Sequence, residues 1–315
     1  MKVFITGGAG YVGSHLAFEL LRLGSEIVII DNLSKAQTIH PTLLPFLMKM
    51  DISLDRDYRS LLNLIKTGSE NDAVIHLSAK KSVSESIRNP DAYVKNNLGG
   101  TKNILKALSE SKMRNFYFAS SAAVYGSGQK TVSENDQLGP LSPYAQAKIE
   151  EEILIQKMTL SSDLRAVVFR FFNIAGARNT SMIEKAGENL IPKAILAASR
   201  NETFKIFGSN YNTPDGTCVR DYIHVMDVVE ALVLALKDSH RKKFLTLNLG
   251  TGKGTSVLNL IREIQRYTKL DVQFSGRRPG DMDTLIADSN LAFNILGWKP
   301  TRGLPEIVRS SIPNL

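Results

Sequence analysis

The stretch Val3-Phe4-Ile5-Thr6-Gly7-Gly8-Ala9-Gly10-Tyr11-Val12-Gly13 places a short apolar run directly before a glycine-rich segment. Gly7, Gly10 and Gly13 have a G-x-x-G-x-x-G spacing, and a stretch with helical periodicity follows. A strand, a tight turn and a helix in this order bring backbone N–H groups and the positive end of a helix dipole together, where a pyrophosphate binds. The sequence therefore predicts a phosphate-binding turn in an α/β fold.

Similar apolar runs recur with helical-period stretches between them, which indicates βαβ units. Strands are predicted at residues 3–6, 27–30, 73–76, 116–120 and 167–171, and helices at 14–23, 58–66, 93–111 and 144–160. These strands are continuous apolar runs, as is typical of a sheet covered by helices on both faces. The predicted fold class is α/β, a doubly wound parallel Rossmann sheet with a smaller C-terminal substrate lobe.

The alternation of predicted strands and helices becomes less regular after residue 172. Longer polar connections separate the helices predicted there, at 190–200, 228–236, 257–267 and 291–296. A chain of 315 residues has room for a large domain and a smaller one, because single cores stop growing near ~250 to 300 residues. We expect residues 1–172 to form the dinucleotide-binding domain. Residues 173–315 are expected to form mainly the substrate lobe, with some segments returning to the first domain.

The net charge, the cysteine and histidine content and the absence of certain motifs limit the classes of binding partner and ligand that we expect. The formal net charge is +8, but Lys and Arg are scattered, which favours a solvated basic surface or steering of a phosphorylated small molecule. No zinc-finger spacing or RNP-like stretch appears, so no nucleic-acid partner is expected. A single cysteine, Cys218, excludes an internal disulfide, and the five His residues lack metal-ligand spacing. Without a signal-peptide pattern or a membrane-length apolar run, the expected location is cytoplasmic, with no membrane partner.

An acidic residue closes the second predicted strand. Asp31 follows the glycine turn by roughly 20 residues, where a carboxylate accepts hydrogen bonds from the adenosine ribose hydroxyls. The same charge repels a 2′-phosphate, which favours NAD over NADP, although Lys35 lies close enough to keep NADP open. Asp51 and Ile52 are positioned to hold the adenine edge.

A second set of residues has the chemistry of a proton-transfer site. Tyr144 and Lys148 lie four apart at the start of a helix, so they share one helix face. Ser121 closes a strand, at the sheet edge where open α/β folds bind ligands. A tyrosine acts as general base only when its pKa falls from about 10 toward neutrality, and a neighbouring ammonium favours that fall. Y-x-x-x-K alone is a common surface pair, but together with the glycine turn and the serine strand it indicates catalysis.

These motifs resemble those of the extended short-chain dehydrogenase/reductase superfamily. Further stretches resemble its UDP-glucose 4-epimerase family over nearly the whole chain: Asp31-Asn32-Leu33-Ser34, Val74-Ile75-His76, Lys81-Ser82-Val83-Ser84-Glu85-Ser86, Ser142-Pro143-Tyr144, Arg170-Phe171-Phe172-Asn173, Gly216-Thr217-Cys218-Val219-Arg220-Asp221-Tyr222-Ile223-His224-Val225-Met226-Asp227, Asn248-Leu249-Gly250 and Arg277-Arg278-Pro279-Gly280-Asp281. The stretch from Val219 to Asp227 is the most specific of these.

The resemblance implies a bound NAD and three sets of site residues. The catalytic set is Ser121, Tyr144 and Lys148. The NAD-binding set is Gly7, Gly10, Tyr11, Val12, Gly13, Asp31, Asn32, Leu33, Ser34, Lys35, Ala36, Asp51, Ile52, Leu77, Ser78, Ala79, Lys80, Lys81, Asn96, Ser121, Tyr144, Lys148 and Phe172. The substrate-binding set is Lys81, Ser121, Tyr144, Asn173, Asn189, Leu190, Arg220, Arg278, Asp281 and Leu285. No metal is implied.

The implied activity is NAD-dependent 4-epimerisation of a UDP-sugar, foremost UDP-glucose and UDP-galactose, through a 4-keto intermediate. Epimerisation of UDP-GlcNAc, UDP-glucuronate or a UDP-pentose stays open, as does a non-catalytic NAD-binding regulator. A 4,6-dehydratase is less favoured, because it requires an additional acid and base where this chain has Ser121-Ala122-Ala123. The resemblance also implies a homodimer, while Ala123 departs from the hydroxyl residue usual in the family.

Overall fold

The computed structural model describes residues 1–34, 39–126, 130–184, 189–238, 242–278 and 280–313. Lys35 and Ala36, both expected at the cofactor site, lie outside these residues. The chain divides into two compact units. Unit 1 comprises Met1–Val124, Pro140–Arg170 and Leu232–Leu247, and unit 2 comprises Tyr125–Gly139, Phe171–Ala231 and Asn248–Leu315. The assignment of a cofactor domain and a substrate lobe to residues 1–172 and 173–315 stays a prediction.

The described strands, in chain order, are β1 Lys2–Thr6, β2 Glu26–Asp31, β3 Leu47–Lys49, β4 Ala73–His76, β5 Asn115–Ser121, β6 Thr131–Val132, β7 Arg165–Phe171, β8 Asn173–Ala175, β9 Phe204–Phe207, β10 Val219–His224, β11 Phe244–Leu249, β12 Gly254–Ser256, β13 Val272–Ser275 and β14 Thr284–Ala287. The described α-helices are α1 Tyr11–Arg22, α2 Asp55–Ile65, α3 Val83–Arg88, α4 Pro90–Tyr93, α5 Gly99–Ser109, α6 Pro143–Ser161, α7 Leu190–Ser199, α8 Val225–Lys237, α9 Val257–Gln265, α10 Asn290–Leu296 and α11 Leu304–Ser310. A π-helical turn, Val94–Leu98, joins α4 to α5, and short 3-10 turns cover Pro41–Phe46, Ala122–Tyr125 and Thr180–Met182.

The large sheet has the strand order β11-β7-β5-β4-β1-β2-β3. Strands β1 and β2, β1 and β4, β2 and β3, and β4 and β5 pair in parallel. The order reverses between β1 and β4, and open α/β sheets bind ligands beyond the carboxyl ends of the strands at such a point. The glycine turn follows β1, and residues 77–81 follow β4, so both predicted cofactor segments begin at this reversal.

The predicted fold class is confirmed, and all five predicted strands belong to the large sheet. Two edge strands, β3 and β11, escaped the sequence analysis. β3 has only three residues, with two of them exposed, and β11 mixes polar residues into its apolar run. The helix predicted at 93–111 is helical from residue 93 to residue 109, but Val94–Leu98 forms a π-helical turn between α4 and α5.

Apolar side chains on both sides of the sheet make up the core of unit 1. Phe4, Val74, Phe116 and Val168 of the strands are fully buried in one cluster with residues of α2, α5 and α6. This cluster holds α6 against the sheet and so determines where the residues of its first turns lie. Unit 2 has its own apolar cluster, built from residues of α7, α9 and α11 and from β9 and β10.

No helix in the described part of the chain is both long enough and apolar enough to cross a membrane.

Candidate active site

The glycine turn is held by backbone contacts that leave no room for side chains. The Gly7 N–H donates to the Ile30 carbonyl at 2.8 Å, and the Gly10 N–H donates to the Gly7 carbonyl at 3.0 Å. Gly7 has a φ of +69°, and a Cβ there would lie 2.7 Å from the Ser78 backbone nitrogen. A Cβ on Gly13 would overlap the Gly7 carbonyl oxygen. Helix α1 therefore begins in close contact with the turn, with backbone N–H groups facing the reversal point.

Asp31 joins this turn to the loop after β2. Its Oδ2 accepts a hydrogen bond from the Ala9 N–H at 3.1 Å, and its Oδ1 accepts one from the Leu33 N–H at 2.8 Å. Leu33 has a φ of +57°, a left-handed conformation that this hydrogen bond supports. Burial raises the pKa of Asp31, and the two backbone hydrogen bonds partly offset that rise.

A second acidic group, Asp51, organises the loop after β3. Its Oδ2 accepts from the Asn32 Nδ2 at 2.8 Å, and its Oδ1 accepts from the Ser53 hydroxyl at 2.6 Å. Burial opposes ionisation here, but the hydrogen bonds from Ser53 and Asn32 and the charge of Arg56 lower the pKa of Asp51 overall. The structure thus brings Asn32 and Asp51, which were predicted separately, into direct contact.

The segment after β4 is tied to the π-helical turn that carries Asn96. The Lys80 N–H donates to Asn97 Oδ1 at 2.8 Å, and Asn97 Nδ2 donates back to the Lys80 carbonyl at 3.0 Å. Lys80 Nζ also lies 3.5 Å from Glu85 Oε1. These contacts join Lys80 to the π-helical turn that also carries Asn96; the role of these residues at a cofactor site stays a prediction.

Tyr144 and Lys148 lie at the start of α6, both almost fully buried. Ser142 caps the helix, since its hydroxyl accepts from the Ala145 N–H at 3.2 Å, and Pro143 occupies the first turn. The Tyr144 ring meets the Tyr93 ring edge-on at 6.4 Å. Lys148 Nζ lies 4.4 Å from the centre of the Phe118 ring on β5, the strand that ends in Ser121.

Two buried glutamates beside this set were missed by the sequence analysis. Glu151 Oε2 lies 3.1 Å from Lys148 Nζ. Glu152 accepts from the Ser120 hydroxyl and from Arg170 Nη2, the latter at 2.7 Å. Glu151 follows Tyr144 by seven residues on the same helix, and this spacing was the available signal. Three consecutive glutamates, residues 150–152, indicate a solvent-exposed helix surface when only the sequence is considered, and the packing of α6 shows that two of them are buried.

Unit 2 holds three of the predicted charged substrate residues, Arg220, Arg278 and Asp281, whereas Lys81 belongs to unit 1. Arg220 on β10 donates through Nη1 to the carbonyls of Val219 and Met282, each at 2.8 Å, and its Nη2 lies 4.0 Å from Asp281 Oδ1. The Arg278 guanidinium lies 3.7 Å from the centre of the Phe207 ring. Burial raises the pKa of the Cys218 thiol, and the charges of Arg220, Asp281 and Arg278 all act on it.

The remaining predicted residues of unit 2 lie on neighbouring elements. Asn173 begins β8 and pairs with Tyr222 of β10. Asn189 occupies the N-cap position of α7, ahead of Leu190, but its side chain makes no capping hydrogen bond, and its Nδ2 donates to Glu184 Oε2 at 2.9 Å instead. Two further contacts of Tyr211 were not predicted from the sequence. The Arg277 guanidinium lies 3.9 Å from the centre of the Tyr211 ring, and the Tyr211 hydroxyl donates a hydrogen bond to Asp281 at 3.4 Å.

Phe172 and Leu285 complete the predicted set in unit 2. The Phe172 N–H donates to the Leu249 carbonyl at 3.1 Å. Leu285 on β14 is buried and pairs with Arg220 of the parallel strand β10. Among the described residues, no group of three or more His, Cys, Asp or Glu side chains is placed to bind a metal ion.

A family model, the NAD dependent epimerase/dehydratase family, matches residues 3–250. The chain belongs to this family. The UDP-glucose 4-epimerase of Bacillus subtilis (strain 168) is 37% identical over 324 residues, which cover 99% of this chain and 96% of that protein.

Two solved structures resemble the chain along its whole length. One is UDP-glucose-4-epimerase from Stenotrophomonas maltophila with bound NAD and formylated UDP-arabinopyranose, at 34% identity and a TM-score of 0.91. The other is UDP-glucose 4-epimerase from Brucella ovis in complex with NAD, at 35% identity and a TM-score of 0.91. Each covers 99% of this chain, and this chain covers 96% and 97% of theirs, respectively.

The family's dinucleotide fits the residues found in unit 1. A Cβ at Gly7 or Gly13 would fill the turn, the first turn of α1 has no acidic side chain, and Asp31 lies against the turn at the end of β2. Such a turn accepts a pyrophosphate at the helix N-terminus and ribose hydroxyls at the carboxylate.

Gly13→Ala is expected to abolish dinucleotide retention, because the added methyl group forces α1 away from the Gly7 carbonyl. The purified variant should carry less than about a tenth of the dinucleotide released from the unmodified protein, measured after acid denaturation. Gly303→Ala is the matched control, since its Cβ would lie an ordinary 3.7 Å from Pro305. Equal dinucleotide content in a folded Gly13→Ala protein would contradict the proposed role of the turn.

Proposed function

We propose that this protein catalyses the NAD-dependent 4-epimerisation of a UDP-sugar, foremost the interconversion of UDP-glucose and UDP-galactose. The observation that carries this proposal is the burial of Tyr144 and Lys148 at the start of α6, in the same unit as a dinucleotide-binding turn. The full-length similarity to UDP-glucose 4-epimerases supports it.

The unit 1 residues carry the proton chemistry in this proposal. NAD, when bound, supplies the reversible two-electron oxidation at the sugar C4. The Tyr144 phenolate accepts the proton of the 4-hydroxyl as the 4-keto sugar forms, and it returns that proton when the carbonyl is reduced. The Lys148 ammonium stabilises the phenolate, and the Ser121 hydroxyl donates a hydrogen bond to the reacting oxygen. Stereochemistry inverts because the hexose presents its other face between the two steps.

The unit 2 residues bind the nucleotide part of the substrate in this proposal. Arg220 and Arg278 suit a diphosphate, because a guanidinium fork binds phosphate oxygens in a bidentate manner. Asn173, Asn189 and Leu190 line the same substrate, and Asp281 supports Arg220 through their 4.0 Å contact. Anchoring the nucleotide while the hexose turns is what an epimerase requires of its binding groups.

Two other activities are less well supported. A 4,6-dehydratase needs an additional acid and base beside the reacting sugar, whereas Ala122 and Ala123 follow Ser121 in this chain. A non-catalytic NAD-binding regulator has no need of a buried tyrosine and lysine pair. The choice of NAD over NADP rests on Asp31. The homodimer and the cytoplasmic location stay predictions.

Incubation of the purified protein with UDP-galactose, UDP-GlcNAc and UDP-glucuronate, with NMR detection of each 4-epimer, tests the proposal. We expect UDP-galactose to be converted fastest, and mass spectrometry of the acid-released cofactor to identify NAD. Conversion of none of the three sugars would overturn the proposed activity. Recovery of mainly NADP would show that Asp31 does not determine the cofactor.

Tyr144→Phe is expected to lower kcat by at least about a thousandfold while NAD stays bound, because the phenolic oxygen accepts the proton but is not a main cofactor anchor. The measurement is turnover of UDP-galactose together with the NAD content of the variant. Tyr58→Phe is the matched control, because that hydroxyl bonds to Glu110 on the surface of unit 1. Near-normal kcat in Tyr144→Phe would remove this residue from the mechanism.

Leu285→Ser is expected to widen acceptance of N-acetylated sugars. The resemblance assigns this position to the space beside the sugar C2 substituent, and Leu285 pairs across the sheet with Arg220. The ratio of kcat/KM for UDP-GlcNAc to that for UDP-glucose should rise about tenfold if the relieved clash is about 1.4 kcal/mol. The exposed Leu160 provides the control variant Leu160→Ser. An unchanged ratio would show that Leu285 does not control pocket width.

A further inference from the structure

A fully buried carboxylate lies behind Lys148. Glu151 has no solvent exposure, and its Oε2 lies 3.1 Å from Lys148 Nζ, whose side chain is 3% exposed. Within the described residues Oε2 makes no hydrogen bond of good geometry, so its contact is this ion pair. Oε1 accepts a hydrogen bond from the Thr101 hydroxyl on α5 at 2.6 Å. Burying a carboxylate without such partners costs folding free energy, so we expect the buried Glu151 side chain to have a function in its contact with Lys148.

The hydrogen bonds behind Glu151 continue across the unit. Thr101 Oγ1 lies 3.0 Å from His76 Nε2, and His76 Nδ1 lies 2.6 Å from Thr6 Oγ1. Burial, together with the charge of Lys148, lowers the pKa of His76 to about 3, so its ring is neutral near pH 7. A neutral imidazole donates from one nitrogen and accepts at the other.

The direction of this network follows from its members. Since the Thr101 hydroxyl donates to the carboxylate, it accepts from the His76 Nε2–H, and the Thr6 hydroxyl therefore donates to Nδ1. Every hydroxyl and imidazole proton in the network thus points toward the Glu151 carboxylate. Thr6 is the last residue of β1, directly before Gly7, so the network runs from the glycine turn to Lys148.

We propose that Glu151 is a positioning residue that sets the pH range in which Tyr144 works, acting through Lys148. This inference rests on the proposed function. Tyr144, Lys148 and Glu151 follow one another at four and three residues along one face of α6. The Glu151 side chain holds the Lys148 ammonium in place through the 3.1 Å contact, and its negative charge offsets part of the positive potential that the ammonium exerts on the Tyr144 phenol. Because this offset opposes formation of the phenolate, it moves the working range to higher pH.

Among the residues that the structure describes, the other ionisable groups packed against α6 do not supply this effect. On the α3 and α4 side, burial and then the charge of Glu85 raise the pKa of Tyr93 to about 12, so Tyr93 is neutral in the working range. Glu85 is in turn matched by Lys80 at 3.5 Å. From β5, Lys148 meets the uncharged ring of Phe118.

The remaining charges are paired elsewhere or exposed. Glu152, the next residue of α6, is paired with Arg170 at 2.7 Å. Lys102 and Lys106 of α5 are exposed, and Lys106 Nζ lies over the Tyr58 ring. In the described part of the chain, Glu151 is therefore the carboxylate placed to act on Lys148.

The deciding variant is Glu151→Gln, which keeps the shape of the side chain and removes its charge. Two quantities are measured on the protein as purified with its bound dinucleotide: the pH dependence of kcat, and the ultraviolet absorbance of the Tyr144 phenolate. The phenolate signal is isolated by subtracting the titration of Tyr144→Phe. We expect the midpoint of the phenolate titration and the acidic limb of the kcat profile to move to lower pH by about one pH unit.

Glu150→Gln is the matched control. It removes the same charge from the preceding residue, whose carboxylate is half-exposed and accepts from Gln146 at 2.9 Å. This control should leave the midpoint in place. An unmoved or raised midpoint in Glu151→Gln, or an equal shift in Glu150→Gln, would overturn the proposal. The phenolate titration needs no turnover, so failure of this inference is distinguishable from failure of the proposed activity.

Thr101→Val provides a second test if Glu151→Gln does not fold. It removes the hydroxyl that donates to Glu151 without adding or removing a charge. Because a donor dipole aimed at the carboxylate is lost, the phenolate midpoint should move in the opposite direction, to higher pH, by a few tenths of a unit. Thr101→Ser keeps the hydroxyl and should restore the original midpoint. A lower or unmoved midpoint in Thr101→Val would contradict the proposal.

Discussion

The contact between the start of α1 and the end of β1 is the constraint on which unit 1 depends. Gly13 packs against the Gly7 carbonyl at a distance that no side chain tolerates, and Gly7 packs against the backbone of Ser78 after β4. Two neighbouring strands and one helix are thereby brought to a single point at the reversal of strand order. The geometry of the proposed cofactor site follows from this close backbone packing.

From that point, polar contacts extend in two directions. Toward β2, the Asp31 carboxylate accepts from backbone N–H groups on both the turn and the next loop. Toward α6, the buried network from Thr6 through His76 reaches Glu151 and Lys148. A chain of buried polar contacts therefore runs from the residue before the glycine turn to Lys148, beside the apolar core of unit 1.

Buried charge has different consequences in the two units. In unit 1, the Lys148 ammonium lies against the Glu151 carboxylate and over the Phe118 ring. These two contacts stabilise a positive charge at a buried, fixed position. In unit 2, backbone carbonyls hold Arg220 and the Phe207 ring lies against Arg278, and within the described ranges Asp281 lies 4.0 Å from Arg220. Guanidinium groups held in this way retain donors for an anionic ligand.

The sequence by itself determined the parallel sheet, the glycine turn, Asp31 and the Tyr144–Lys148 pair, because these features depend on local spacing and on strand and helix periodicity. It did not reveal the edge strands β3 and β11, which are short or mixed in polarity and gain their order from neighbouring strands. Nor did it distinguish Glu151 from the solvated Glu150 beside it. Only the packing of α6 against β5 and α5 decided that one carboxylate is buried against Lys148, because burial depends on contacts between residues far apart in the chain.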